Sequence, residues 1–264
     1  MDRADVGLTA PRRDSSATHR CARPAAARPP LIAATRPPSA RAGLKLEHHK
    51  AGCAHAASSP AARAPLSEAA LRQSPLYSEQ LGIRLAAGTD AELFKWFLAS
   101  VLLGARISET IARHTYQSFA RHRLLSPARI LATGWDRLVN PVLREGGYVR
   151  YDHKTATRLL RQCAALQSEY RGSLRRLHRL ARGRRDLEAR LDRLYGVGPV
   201  TVNIFLRELR PWWTKADPEP RPDVTAAARK LRIPLGRYPR KDLTFVRLEA
   251  GLIRHRRELR RTAR

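Results

Sequence analysis

The segment Leu194 to Leu206, LYGVGPVTVNIFL, places two glycines on either side of a valine, between two stretches of helical apolar period. Glycine lets a backbone take positive φ and lets a ligand approach with no Cβ in the way. A helix opening just after such a turn offers unpaired N-terminal amides and the positive end of its dipole. A phosphate group suits that place. Gly196, Val197 and Gly198, with Val200 and Thr201 at the start of the next helix, are therefore the candidate phosphate-binding residues. Val197 is expected to plug the gap between the two helices, and Val202, Ile204, Phe205 and Leu206 to bury the second one. Glycine ends many helices, so the motif on its own is a weak signal and needs its context.

That context is helical throughout. Leu93, Phe94, Phe97, Leu98, Val101 and Leu102 recur at steps of three and four, which predicts a buried helix. After a break at Gly104-Ala105-Arg106, the line Ile107, Ile111, Thr115 and Phe119 predicts a second helix, with Ser108 as its N-cap. Ser126-Pro127 starts a short one, and Trp135 to Leu143 adds a further turn or two. Gly146-Gly147 interrupts, then Asp152 opens a long helix with Ala156, Leu159, Leu160, Cys163 and Leu166 inward. The Arg-dense stretch 171–185 carries Leu174, Leu177 and Leu180, and Leu187, Leu191 and Leu194 lead into the hairpin. Beyond it, Asp223 in RPDVTAAARKL is placed to N-cap a helix bearing Val224, Ala227 and Leu231. No segment demands a strand, so the fold class is all-α, with order beginning near Pro75.

Lys and Arg number 51 against 23 Asp and Glu among 264 residues, a formal charge of +28. Such a field attracts polyanions and predicts salt-dependent attachment to nucleic acid, although a codon bias toward Arg yields the same excess. Cys21, Cys53 and Cys163 lack any CxxC spacing, so neither a disulfide framework nor a zinc site is indicated. His48, His49 and His55 lie in a tail without fixed ligand geometry, and no metal or cofactor is expected. With no run of eighteen or more apolar residues and no apolar core near the start, neither a membrane span nor a secretory leader is expected, and a reducing, cytoplasmic setting is the expectation. Residues 1–65 are rich in Ala, Arg, Pro and Ser without period, and read as a disordered tail, a transit peptide or an upstream extension. The last stretch, 241–264, reads as a basic amphipathic helix with Leu243, Val246, Leu248 and Leu252 on its apolar side.

With its flanks, the hairpin segment resembles the helix-hairpin-helix of the endonuclease III-like DNA glycosylase superfamily, over roughly residues 90–235. FKWFLASVLLGARISETIARHTYQSF (Phe94 to Phe119) is similar to that family's opening helix pair. GGYVRYDHKTATRLLRQCAAL (Gly146 to Leu166) is similar to its glycine, aromatic, then helix segment. The resemblance implies a two-lobed helical glycosylase fold for residues 75–240, a double-stranded DNA partner, action as a monomer, and nucleoid association if the source is bacterial.

It also implies roles for single residues. An aspartate opening the helix after the hairpin stabilises the developing sugar cation or activates the nucleophile. Asp223 matches that local pattern, while Asp217 in TKADPEP better matches the spacing from the hairpin. A plain capping role for Asp223 stands beside the catalytic one. The strand-cutting members carry a nucleophilic lysine where this chain has Val200, so base removal by water is expected; Lys215 and Lys230 are other amines, with no spacing that demands them. The family's iron-sulfur cluster needs four cysteines after the hairpin, and none follows Cys163. Arg106 sits where relatives fill the gap left by an extruded base, and Tyr148 and Tyr151 are placed to stack on that base or to plug the core. A binding module that keeps the fold without the chemistry is the alternative.

Overall fold

Short polar side chains set the helix starts. Thr89, Ser108, Ser126 and Ser173 each accept a hydrogen bond from a first-turn amide, of Glu92, Ile111, Arg129 and Arg176 respectively. Such caps satisfy donors that the helix itself cannot. The computed structural model describes residues 67–261, with side chains through His255, and every regular element in that range is helical. The tail at 1–65 lies outside the described residues.

In chain order the helices are α1 (Glu68–Arg72), α2 (Tyr77–Gln80), α3 (Asp90–Leu103), α4 (Glu109–Arg121), α5 (Pro127–Thr133) and α6 (Trp135–Arg137). There follow α7 (Asp152–Tyr170), α8 (Leu174–Leu180), α9 (Arg184–Asp192), α10 (Pro199–Arg207), α11 (Pro222–Lys230) and α12 (Leu243–Arg261). After α6 the chain continues as a wider helical turn over Leu138–Leu143, so the expected Trp135 to Leu143 element is kinked at Asn140-Pro141. α1 precedes the expected start of order at Pro75 and packs on α12.

The apolar lines read from the sequence face inward. All six residues of the α3 line are buried, as are Leu187, Leu191 and Leu194 around α9 and Val202, Ile204, Phe205 and Leu206 of α10. Leu180 differs: it is 47% exposed at the end of α8, whose short length lets only Leu174 and Leu177 reach the core. α3 and α10 pack together at the centre, where Trp96 Nε1 donates to the Phe205 carbonyl at 2.9 Å and the Phe97 and Phe205 rings meet edge to face at 5.6 Å. An edge-to-face pair contributes about 0.5–1.5 kcal/mol beyond its buried area. α4 and α8 pack on α3, α9 on α10, and α1 and α11 on α12.

The C-terminal helix is less detached than its basic composition implies. Val246, Leu248 and Leu252 are fully buried, while Leu243 at its start is exposed. Arg210, just past α10, is 1% exposed and bonds to the equally buried Glu249 of α12. No helix among the described residues is long and apolar enough to cross a membrane.

Candidate nucleic-acid interface

The hairpin joins α9 to α10 through Tyr195, Gly196, Val197 and Gly198. Val197 is 4% exposed and fills the space between the two helices, as its place between the glycines predicts. Gly196 has φ +73°, a conformation other residues rarely hold, and a Cβ there would stand 2.5 Å from Arg158 Nε. Gly198 departs from the expectation. Its φ of −107° and ψ of 179° are ordinary extended backbone, so it takes no positive φ. A Cβ on Gly198 would meet nothing within 4 Å, which leaves its surroundings open to a ligand.

α10 begins at Pro199, just ahead of the Val200 and Thr201 expected at its start, with Gly198 as a cap that offers no side chain. Proline has no amide to satisfy at that position. The first helical bond is Val202 N to Gly198 O at 3.0 Å, so the Val200 and Thr201 amides have no acceptor within the helix. Val200 is 46% exposed beside them. The Thr201 side chain points elsewhere. It is buried against the end of α3, where a Cβ on Gly104 would lie 2.3 Å from Thr201 Oγ1. Thr201 therefore offers a ligand its amide and not its hydroxyl.

α7 supplies what sequence reasoning missed. Gln162 Nε2 donates to the Tyr195 carbonyl at 3.0 Å and ties the loop to that helix. The outer face of α7 then carries Lys154, Arg158 and Arg161 past the hairpin. Arg161 lies over the Tyr195 ring at 4.4 Å, and a cleft of about 570 Å³ is lined by His153, Lys154, Thr157, Arg158, Tyr195 and Gly196. Their steps of three and four along a helix already recognised were the signal that could have found them.

Arg106, Tyr148 and Tyr151, widely separated in sequence, line one cavity of about 220 Å³ with Ile107 and Ile111. Arg106 is exposed at its rim. Tyr148 is only 3% exposed and is a core plug, whereas Tyr151 is 40% exposed with the Arg150 guanidinium 5.6 Å from its ring. Ile107 also lines a second cavity, of about 390 Å³, whose wall includes Val200 and Arg221.

The two aspartates part company. Asp223 does not N-cap α11: the cap is Arg221, with Pro222 at the first helical position and Asp223 behind it in the first turn. The fixed φ of proline starts the helix one residue before Asp223 can cap it. The Asp223 carboxylate instead accepts from Arg221 Nε at 3.1 Å, and Arg221 in turn lines the larger cavity. Asp217 lies in an ion network away from it, bound by Arg240 Nε at 2.9 Å and facing Arg210 Nε at 3.4 Å. Leu231, expected inward on α11, is its half-buried C-cap, while Val224 and Ala227 are buried.

Trp213 packs edge to face on Phe205 and stacks on His178 at 4.4 Å. Burial, then the nearby Lys215 and Lys241 charges, lowers the pKa of His178 to about 4. Burial pushes the Cys163 thiol up to about 12. Among the described residues no group of three or more His, Cys, Asp or Glu is placed to hold a metal. No family model, curated protein or solved structure matches the chain.

Proposed function

We propose that the protein grips double-stranded DNA with its hairpin and removes a damaged base by hydrolysis of the N-glycosidic bond, as a helix-hairpin-helix glycosylase that does not cut the strand. The observation that carries this reading is the hairpin itself. Gly198 is open to approach, two α10 amides lack intrahelical acceptors, and Lys154, Arg158 and Arg161 border the loop. Backbone amides at a helix start bind a phosphate at short range, while flanking cations add the longer-range, salt-sensitive attraction. The central α3 and α10 pair, with α4 to α9 gathered on one part and α1, α11 and α12 on another, supports the two-lobed architecture that the resemblance implies.

In this reading Arg106 fills the gap left in the stack, and the extruded base rests on Tyr151, with Tyr148 fixed in the core behind it. Water attacks the sugar carbon as the bond to the base breaks, and Asp223 supplies the negative charge that favours the cationic sugar. Val200 has no amine, so no imine forms at this position. A second reading, binding without chemistry, is favoured by one contact: Arg221 Nε holds the Asp223 carboxylate at 3.1 Å and offsets its charge.

Duplexes carrying alkylated, oxidised or deaminated bases, incubated with the protein and then treated with alkali, separate the two. Strand breaks after alkali, without a borohydride-trapped adduct, are the expected result. Tight binding with no abasic sites across the panel favours the binding module. A trapped adduct refutes the role given to Val200.

A further inference from the structure

Three guanidinium groups, from Arg207, Arg221 and Arg254, line the cavity of about 390 Å³ behind Val200; Arg221 is paired with Asp223, and base removal gives the other two no part. Arg207 is only 4% exposed. Arg254 and Arg207 both lie against the Tyr77 ring, with guanidinium carbons 4.3 and 5.1 Å from its centroid. Nε of Arg207, and Nε and Nη1 of Arg254, are buried without a hydrogen-bond partner among the described residues. Burying these charges is costly, and an anion in the cavity beside them offsets that cost through its own charge.

Nearby carboxylates offset this charge only in part: Glu208 acts on both Arg207 and Arg254, Glu109 acts on Arg254, and Asp223 holds Arg221. Glu208 is fully buried, and its two oxygens accept from the Tyr77 and Ser78 amides at 2.9 and 3.0 Å. Glu109 lines the cavity but is held by Arg113 at 3.3 Å. The start of α4 also lines the space, through its N-cap Ser108 and Thr110, and the amides of a first turn add donors and a positive dipole end.

We propose that this cavity is a receptor for a phosphomonoester, the terminal phosphate of a free nucleotide or of a DNA strand end. Guanidinium forks match phosphate oxygens in pairs, and several of them suit a doubly charged group better than a singly charged one. The walls come from α2, the α3–α4 connection, α4, α10, Arg221 and α12, and a terminal phosphate needs room for a sugar on one side only, whereas a phosphate within a continuous strand needs it on both. The receptor for a free nucleotide stands without the DNA reading; the strand-end form rests on it.

Titration calorimetry at fixed ionic strength, with deoxyadenosine 5′-monophosphate against deoxyadenosine, tests the site on the full-length protein. Saturable binding of the nucleotide, weakened about tenfold or more by Arg254→Met, is the expected result. Because removing a partly buried arginine can disturb folding, Thr110→Glu is the second variant. It places a carboxylate at the exposed edge of the cavity, where an acidic first turn favours α4, and weakens binding to a similar degree with an unchanged melting temperature. A parallel comparison of duplexes ending in 5′-phosphate or 5′-hydroxyl assigns the source: preference for the phosphate end marks a strand terminus, and equal binding marks the free nucleotide. Equal affinity for nucleotide and nucleoside, or a nucleotide affinity untouched by Thr110→Glu in a folded protein, overturns the proposal. Loss of duplex binding with nucleotide binding intact refutes the DNA reading alone.

Discussion

Gly198→Ala separates gripping from folding. The residue sits at φ −107° and ψ 179°, which alanine adopts without strain, and its added Cβ meets nothing within 4 Å. Two stability effects remain, and they oppose each other. Alanine is a poorer N-cap than glycine, by a few tenths of a kcal/mol to about 1. It also restricts the unfolded chain, which stabilises by about 0.4–1 kcal/mol. The net change is within about 0.5 kcal/mol, or about 1–2 °C in melting temperature for a domain of this size. Binding behaves otherwise. The methyl group stands where a phosphate approaches the α10 amides, and a lost hydrogen bond to a charged group costs about 1.5–3 kcal/mol, or about ten- to a hundredfold in Kd. Gly196→Ala is the contrast. At φ +73°, with Arg158 Nε 2.5 Å from the new Cβ, it loses about 1–2 kcal/mol of stability as well. Fluorescence anisotropy with duplexes of unrelated sequence, beside thermal melts, measures both quantities. Wild-type affinity in a normally folded Gly198→Ala protein would refute the hairpin as the grip.

Three further outcomes follow from the geometry. Asp223→Asn is expected to abolish base release with little change in melting temperature, whereas Asp217→Asn weakens the Arg240 and Arg210 pairings, destabilises by about 1–2 kcal/mol and spares activity, as melts and abasic-site assays can check. His178, ordinarily titrating at 6.5, is held near 4, so the folded state binds fewer protons and stability present above pH 6.5 is lost as the pH falls through 4. Replacement by Phe, which keeps a ring against Trp213, is expected to make the decline between pH 7 and 4 shallower by about 1–2 kcal/mol after allowance for partial exposure; an unchanged slope in pH-dependent melts counts against it. The Cys163 thiol is 1% exposed and titrates at about 12, so its peptide should remain unlabelled by alkylating reagents, read by mass spectrometry, until denaturant is added.

Much of the fold was legible because helices write a three-to-four residue period into the chain and polar caps mark their starts. Leu93 to Leu102, the Ser108 and Ser126 caps, the Asp152 start and the buried hairpin plug Val197 all follow from local rules. Local rules failed where two of them competed. Asp223 has the chemistry of a cap, yet Pro222 begins the helix before it, and Gly198 has the freedom of a left-handed residue but takes an extended backbone that any residue could hold.

The hairpin on which the sequence first rests its claim was determined locally, since glycine, valine, glycine and proline between two apolar helices leave few other conformations. Which cations surround it was decided by tertiary structure alone. Among 51 Lys and Arg residues, the three-and-four step of Lys154, Arg158 and Arg161 puts them on one face of α7, but nothing in the chain says that this face meets Gly196, or that Arg207, Arg221 and Arg254 meet around the adjoining cavity. A shared face does not say what lies opposite it. Only the packing of α3, α7, α10 and α12 decides which guanidinium groups meet, which nitrogens stay buried without a hydrogen bond among the described residues, and which of two aspartates binds an arginine of the cavity wall.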